Sequence, residues 1–259
     1  MKSILLTFDV EEFDLPREYG IYLEETQEFE ISKQGLNKII QLLEKHKIPA
    51  TFFTTTEFAK KYPELIKQIS KNHEIACHSY CHSESCESLQ RLQQAKQEKE
   101  KIINKKINGF RAPRFQIKKI QELANIGFEY DSSTHPLWLP GKYFNFFQKR
   151  KPHKIGNIIE IPISTLPVNL SLFWLAFKNF PNWYAKLFTK LNFLLSNYTM
   201  TIMHPWEFSS ISNLKLPWHI NSTEGKKLLN KLENYIIFCK KQGYKFQTVD
   251  NYLKHNLQR

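Results

Sequence analysis

The sequence predicts an α/β fold in which a parallel sheet curls into a barrel, and three observations carry that expectation. Short apolar runs without helical period alternate with longer segments whose apolar residues recur every three to four positions, the pattern of strand–helix–strand units. At 259 residues with 41% hydrophobic side chains, the chain can form one α/β barrel around a sizeable core. The polar residues that stand out, Asp9, His78, Arg111, Asp131 and His204, each follow directly on an apolar run. A barrel of parallel strands collects such positions at its C-terminal mouth. Loops begin after strands in every protein, which explains one or two such cases and not five.

The elements follow in order. Residues 4–8 are a buried strand ending at Asp9, and an acidic loop over 11–30 comes next. Ser32 caps a helix whose apolar face is Leu36, Ile39, Ile40, Leu42 and Leu43. Pro49 closes the connection to a second strand at 50–54. A helix over 58–70 leads to a third strand at 74–77, which delivers His78 at its end. Residues 89–103 make a charged helix with a solvated face, and 109–113 a strand broken by Pro113. A helix over 117–126 ends at Gly127 in the usual cap role. Strand ends follow at 128–131 and 158–162, and a strong strand over 198–203 runs into His204. An amphipathic helix over 225–242 precedes a last apolar stretch at 244–246.

Lys and Arg number 37 against 25 Asp and Glu, a formal charge of +12. That balance favours an anionic partner: nucleic acid, a phosphorylated substrate or an acidic membrane face. The lysines are scattered along helix faces without a nucleic-acid motif, so no nucleic acid is expected. Four cysteines make no disulfide framework in a chain this long. Cys77, Cys81 and Cys86 crowd the histidine motif without a Cys-x-x-Cys spacing, as small buried residues of a reducing compartment would. The apolar run Ile4-Leu5-Leu6 is too short for a secretory signal, so the expected location is cytoplasmic.

Residues 170–195 depart from the pattern. Phe173, Trp174, Phe177, Phe180, Trp183 and Phe188 are interrupted by Lys178, Lys186 and Lys190. The longest uncharged run falls short of the about 20 residues that span a bilayer. One reading is a helical pair packed on the barrel. The other is an interfacial element, with aromatics in lipid and lysines on anionic headgroups, peripheral on the inner face of the membrane.

The chemistry concentrates around Cys77-His78-Ser79-Tyr80-Cys81-His82. On a helical turn, residues four apart point the same way, so both imidazoles reach one ion. Taken alone, such a pair is more often two solvated or core histidines. A catalytic divalent metal takes a third protein ligand, and the nearest donors stand in Asp9-Val10-Glu11-Glu12.

Five stretches, in order along the chain, resemble the motif set of the polysaccharide deacetylase family, the NodB-homology or carbohydrate esterase family 4 type. Thr7-Phe8-Asp9 is similar to its first motif and His78-Ser79-Tyr80-Cys81-His82 to its His-Ser/Thr-x-x-His second. Arg111-Ala112-Pro113 is similar to its Arg-x-Pro third, Asp131-Ser132-Ser133 to its fourth, and Ile202-Met203-His204-Pro205 to its fifth. The resemblance runs over residues 3–250. It implies a distorted (β/α)7-type barrel as a single domain over 1–259, with the aromatic and lysine-rich stretch as an insertion at about 168–197. It implies a divalent metal on His78, His82 and a carboxylate, with zinc first and cobalt, nickel or iron also suited to that donor set. It implies Asp9 as general base held ionised by Arg111, and His204 as general acid oriented by Asp131. The N–H of Arg114, after Pro113, falls where the family uses an oxyanion donor.

The sequence departs from the family at three places. Val10 stands where the family commonly has a second, metal-binding aspartate. Strand alternation puts Glu11 on the side of Asp9 and Glu12 on the other, so Glu11 is the expected third ligand and Glu12 the reserve. Arg114 occupies a position that commonly carries an aromatic, and its charge suits a phosphate or an acidic sugar. Tryptophans usual after the fourth motif are missing at their spacing, with Trp138 and Trp206 as candidate substitutes. The expected activity is hydrolysis of an N-acetyl group from an amino sugar, on a cell-envelope glycan or on a polyprenyl-phosphate carrier as in a lipid-linked-sugar subgroup. The alternatives are hydrolysis of a small ureide-type amide, or an inactive glycan- or lipid-binding relative.

Overall fold

Strand β1 (Ser3–Val10), buried along its whole length, is the axis of the sheet. In the computed structural model, residues 1–82, 88–116, 120–139 and 143–257 are described. The further strands are β2 (Thr51–Thr54), β3 (Glu74–Cys77), β4 (Gly109–Phe110), β5 (Tyr130–Asp131), β6 (Trp138–Leu139) and β7 (Tyr143–Phe144). They continue with β8 (His153–Ile155), β9 (Ile158–Glu160), β10 (Thr165–Leu166), β11 (Leu170–Ser171), β12 (Tyr198–Met203) and β13 (Lys245–Phe246). The helices are α1 (Glu25–His46), α2 (Thr56–Lys61), α3 (Pro63–Ile69), α4 (Leu89–Ile103), α5 (Trp174–Asn179), α6 (Asn182–Leu195), α7 (Trp218–Asn221), α8 (Gly225–Lys241) and α9 (Val249–Leu257).

The main sheet runs β12-β1-β2-β3-β4-β5-β9-β8, with β13 added beside the start of β1. From β12 to β9 every pairing is parallel, and β8 returns antiparallel on β9. This is the expected α/β architecture, a curled half-barrel. Its two sides meet through side chains: the Met200 N–H donates to Ser164 Oγ at 2.9 Å and the Tyr198 hydroxyl to the Pro162 carbonyl at 2.6 Å.

Register does the gathering. Phe8 pairs with Met203 and Phe52, Cys77 with Thr54 and Phe110, and Phe110 with Asp131. Asp9, His78, Arg111, Asp131 and His204 therefore lie on or one residue beyond the last rungs, at one end of the sheet.

Several local expectations give way to packing. Helix α1 begins at Glu25, inside the expected acidic loop, and Ser32 is buried within it rather than capping it. Pro63 splits the expected helix over 58–70 into α2 and α3, because proline fits a first turn and not an interior. Residues 120–126 wind as a 3-10 turn rather than an α-helix, and 117–119 lie outside the described residues. The His78–His82 stretch is not helical, since Ser79 has φ 62°. Its carbonyl accepts a hydrogen bond at 2.9 Å from the buried Lys99 ammonium of α4. The two imidazoles converge because this strand-end turn is pinned, not through helical spacing.

Cys77 and Cys239 are free and buried, whereas Cys81 is disulfide-bonded, against the expectation of unpaired thiols. Cysteine spacing does not report which sulfurs meet in space. Cys86 lies outside the described residues.

Candidate active site and metal centre

Glu11, His78 and His82 bring ligand atoms within 4.8 Å of one another, all three residues buried. Glu11 Oε2 lies 3.0 Å from His78 Nε2 and 3.2 Å from His82 Nε2. The outer nitrogens are already committed: His78 Nδ1 to the Arg111 carbonyl at 2.8 Å, and His82 Nδ1 to Asp14 Oδ2 at 2.8 Å. Such bonds fix ring orientation and leave each Nε2 for an ion. The donors present fit a divalent metal. Without one, the carboxylates Glu11 and Asp14 raise the His82 imidazole to about 9, overriding the burial that would lower it. Glu12 is not in the group; burial, with Glu11 and Asp14 beside it, pushes its carboxyl up to about 7.

Asp9 faces the same space. Arg111 is fully buried, with Nη1 on Asp9 Oδ1 at 2.6 Å and on Thr7 Oγ1 at 3.0 Å. Its Nε holds the Ser132 carbonyl at 3.1 Å, and the guanidinium lies over the Phe53 ring. Burial alone would raise the Asp9 carboxyl, but Arg111, with His78 and His204 beyond it, holds it below its ordinary value. Asp9 is a buried carboxylate held in its ionised form.

His204 lines the same space, its Nε2 3.9 Å from Glu11 Oε1. Glu207 Oε1 accepts both the His204 backbone N–H at 2.7 Å and, at 3.1 Å, the ring Nδ1. The ring stacks on Trp206 and meets Trp174 edge-on. Burial would depress its basicity, yet Glu207, then Glu11 and Asp9, raise it above an ordinary histidine. Beneath Glu207 lies the buried Lys178 ammonium, 3.5 Å from Oε2 and bonded to the Ile220 carbonyl at 2.7 Å.

These groups line a cavity of about 80 Å³, closed by Phe115, Phe173, Trp174 and Trp206 with Arg114 at its edge. Water takes about 30 Å³, so the cavity holds a small acyl group and not a whole sugar. A groove of about 800 Å³, rich in charged and polar side chains, shares Asp14 and His82 with it.

The polysaccharide deacetylase family model matches residues 1–130, half of the chain. The chain belongs to the polysaccharide deacetylase family. The peptidoglycan-N-acetylmuramic acid deacetylase PdaA of Bacillus subtilis is 33% identical over 101 residues, which span 36% of this chain and 38% of that protein. Among solved structures, Puue allantoinase superposes with a TM-score of 0.70 at 14% identity, over 98% of this chain and 89% of that one. A probable polysaccharide deacetylase of Pseudomonas aeruginosa does so with 0.66 at 14%, over 98% and 90%. A carbohydrate esterase family 4 pseudoenzyme of Bacillus anthracis reaches 0.51 at 17%, over 96% and 64%. At these identities the structural likeness concerns the fold.

Within this member of the polysaccharide deacetylase family, three expectations from the sequence meet a different geometry. Asp131 does not orient His204. Its carboxylate accepts from Ser133 Oγ at 2.6 Å and sits beside Glu160, whose carboxyl burial and the Asp131 charge push well above the ordinary range. Glu207, three residues after His204 on the same turn, holds the imidazole instead. Trp138 is half-exposed and outside the cavity lining, whereas Trp206 lies under His204. Trp174, on α5, is the wall the sequence did not reveal, and its only signal was the density of aromatics around it. Arg114 has the left-handed φ of 53°, and its guanidinium is 3.3 Å from Asp14 and 3.6 Å from Glu18. Its charge meets protein carboxylates.

Proposed function

We propose that this polysaccharide deacetylase is an active metal-dependent hydrolase that removes the N-acetyl group from an amino sugar. One observation carries the reading: Asp9 on Arg111, His204 on Glu207 and the Glu11–His78–His82 group line one cavity of acyl size. A module that only bound glycan would need no buried acid–base pair.

A divalent ion held by Glu11, His78 and His82 would supply Lewis-acid polarisation of the acetyl carbonyl and of the attacking water. Zinc is the metal proposed, with cobalt, nickel or iron able to substitute on the same donors. Asp9 takes the proton from water as its oxygen bonds the carbonyl carbon. The Arg114 N–H, on the turn that Pro113 opens, is the proposed donor to the oxyanion. His204 gives its proton to the nitrogen as the C–N bond breaks, releasing acetate and the free amine. Glu207 keeps the imidazole charged for that transfer, and Trp206 and Trp174 hold the ring in place.

The polar groove beside the cavity suits a hydroxyl-rich ligand, favouring a sugar over a small ureide. The carrier we propose is lipid, supported by the +12 charge and the aromatic, lysine-bearing α5–α6 pair.

The test is mass spectrometry of polyprenyl-linked sugars and of purified wall glycan, each incubated with metal-loaded wild type or Asp9→Asn. Loss of one acetyl mass from the lipid fraction, with Asp9→Asn slower by about 10²- to 10⁴-fold at unchanged metal content, is expected. Loss from wall glycan alone would replace the carrier and keep the chemistry. Turnover of neither fraction, with metal bound, would overturn the reading in favour of a small amide or an inactive relative.

A further inference from the structure

We propose that the outer face of α6 is a docking surface for an anionic lipid bilayer. The inner face of this helix buries Tyr184, Ala185, Phe188, Thr189, Asn192 and Phe193 against the barrel and α8. The outer face carries Trp183, Leu187, Leu191 and Leu194, with Phe180 before it and Leu195 at its end. These six side chains are between 38% and 75% exposed. Their spacing of three and four residues makes one continuous stripe. A contiguous exposed apolar stripe marks a contact surface.

Charge selects the occupant. Between residues 161 and 206 there is no Asp or Glu. Lys186 and Lys190 flank the stripe, each with Nζ 5.7 Å from the Phe238 ring centroid on α8. Their stems lie along the seam between α6 and α8, leaving ammonium groups at the edge of the apolar face. A second copy packed two-fold on this face would bring lysines together without a carboxylate in the segment. An anionic bilayer answers both features: acyl chains accept the stripe and headgroups accept the lysines. Lys178, grouped with these lysines by sequence, is buried under Glu207 and takes no part.

The same helical pair reaches the chemistry. Phe173 and Trp174, where α5 begins, line the acyl-sized cavity. The Asn179 side chain donates to the His219 carbonyl of α7 at 2.8 Å, and Trp218 on the same short helix is exposed. A protein lying on α6 keeps its cavity next to the headgroup layer. The inference deepens the lipid-carrier reading, but vesicle binding is measured without turnover, so either can fail alone.

The experiment is sedimentation of the full, metal-loaded protein with phosphatidylcholine vesicles, with and without phosphatidylglycerol, at low and high salt. Light scattering is run in parallel. Wild type and Asp9→Asn are expected to sediment with the anionic vesicles alike. Combined Trp183→Ser, Leu187→Gln and Leu191→Gln should lower partitioning more than about tenfold. Lys186→Glu with Lys190→Glu should lose about fivefold per lysine at low salt and little at high salt. Trp183, Leu187, Lys190 and Leu191 are exposed and Lys186 is half-buried, so circular dichroism and metal content should match wild type. Absence of wild-type binding, or binding unmoved by both variants, overturns the proposal. So does a wild-type dimer that the leucine variant dissolves, which would assign the face to a second copy.

Discussion

His204 shows what a single side chain needs from its neighbours. Its ring is held by a carboxylate on its own turn, two indoles and, one step behind, a buried ammonium. Removing the charge of Glu207 should therefore harm chemistry more than binding. Glu207→Gln is expected to lower kcat by about 10- to 100-fold with KM nearly unchanged, and to move the alkaline limb of the kcat profile to lower pH. Asp131→Asn should leave that limb in place and show itself in thermal stability, because Asp131 serves Ser133 and Glu160. A limb moved by Asp131→Asn and not by Glu207→Gln would return the role to Asp131. At the metal group, His78→Ala or His82→Ala should each abolish stoichiometric zinc by elemental analysis, whereas Asp9→Asn should retain it.

Between residues and fold, the decisive contact is that of α1 with the 205–208 turn. A Cβ on Gly35 would lie 1.8 Å from the Pro205 carbonyl oxygen, a backbone atom that cannot rotate aside. Alanine favours a helix over glycine by about 1 kcal/mol, while overpacking costs about 1–3 kcal/mol. The clash wins. Gly35→Ala should lower Tm and, by shifting the turn that carries His204 and Glu207, reduce kcat without loss of metal. A variant with higher Tm and full activity would show that the turn yields freely. The helix start at Glu25, the break at Pro63 and the pinned turn at Ser79 belong to this scale too. In the first and last the packing of neighbours set what the local pattern had named, whereas the break at Pro63 comes from the proline itself.

At the scale of the whole molecule, burial of titratable groups ties stability to pH. His135 is fully buried, and burial, with Arg111 beyond it, lowers its imidazole to about 3 from an ordinary value near 6.5. Below about 6.5 the unfolded chain takes up a proton at this position that the native state refuses. Stability should then fall as pH drops from about 6.5 toward 3, by about 1.4 kcal/mol per unit from this group. Denaturant melts of wild type and His135→Phe across that window check it: the variant's slope should be shallower by one proton. Parallel slopes would mean that His135 is protonated in the native state.

The α/β alternation, the strand ends that carry Asp9, His78, Arg111 and His204, and the family were all legible along the chain, because strand period and motif spacing are local properties. The sequence also pointed to Glu11 over Glu12, since side chains alternate along an extended chain. Only the tertiary structure put Glu207 on His204, Trp174 against the cavity, Lys178 under the site and Arg114 among carboxylates. Glu207 is only three residues from His204, and it is the turn between them that brings carboxylate to ring; the other contacts join segments whose separation along the chain says nothing of their distance in space. The outer stripe of α6 belongs to both: its composition is written in the sequence, and its exposure was settled only when the inner face found the barrel.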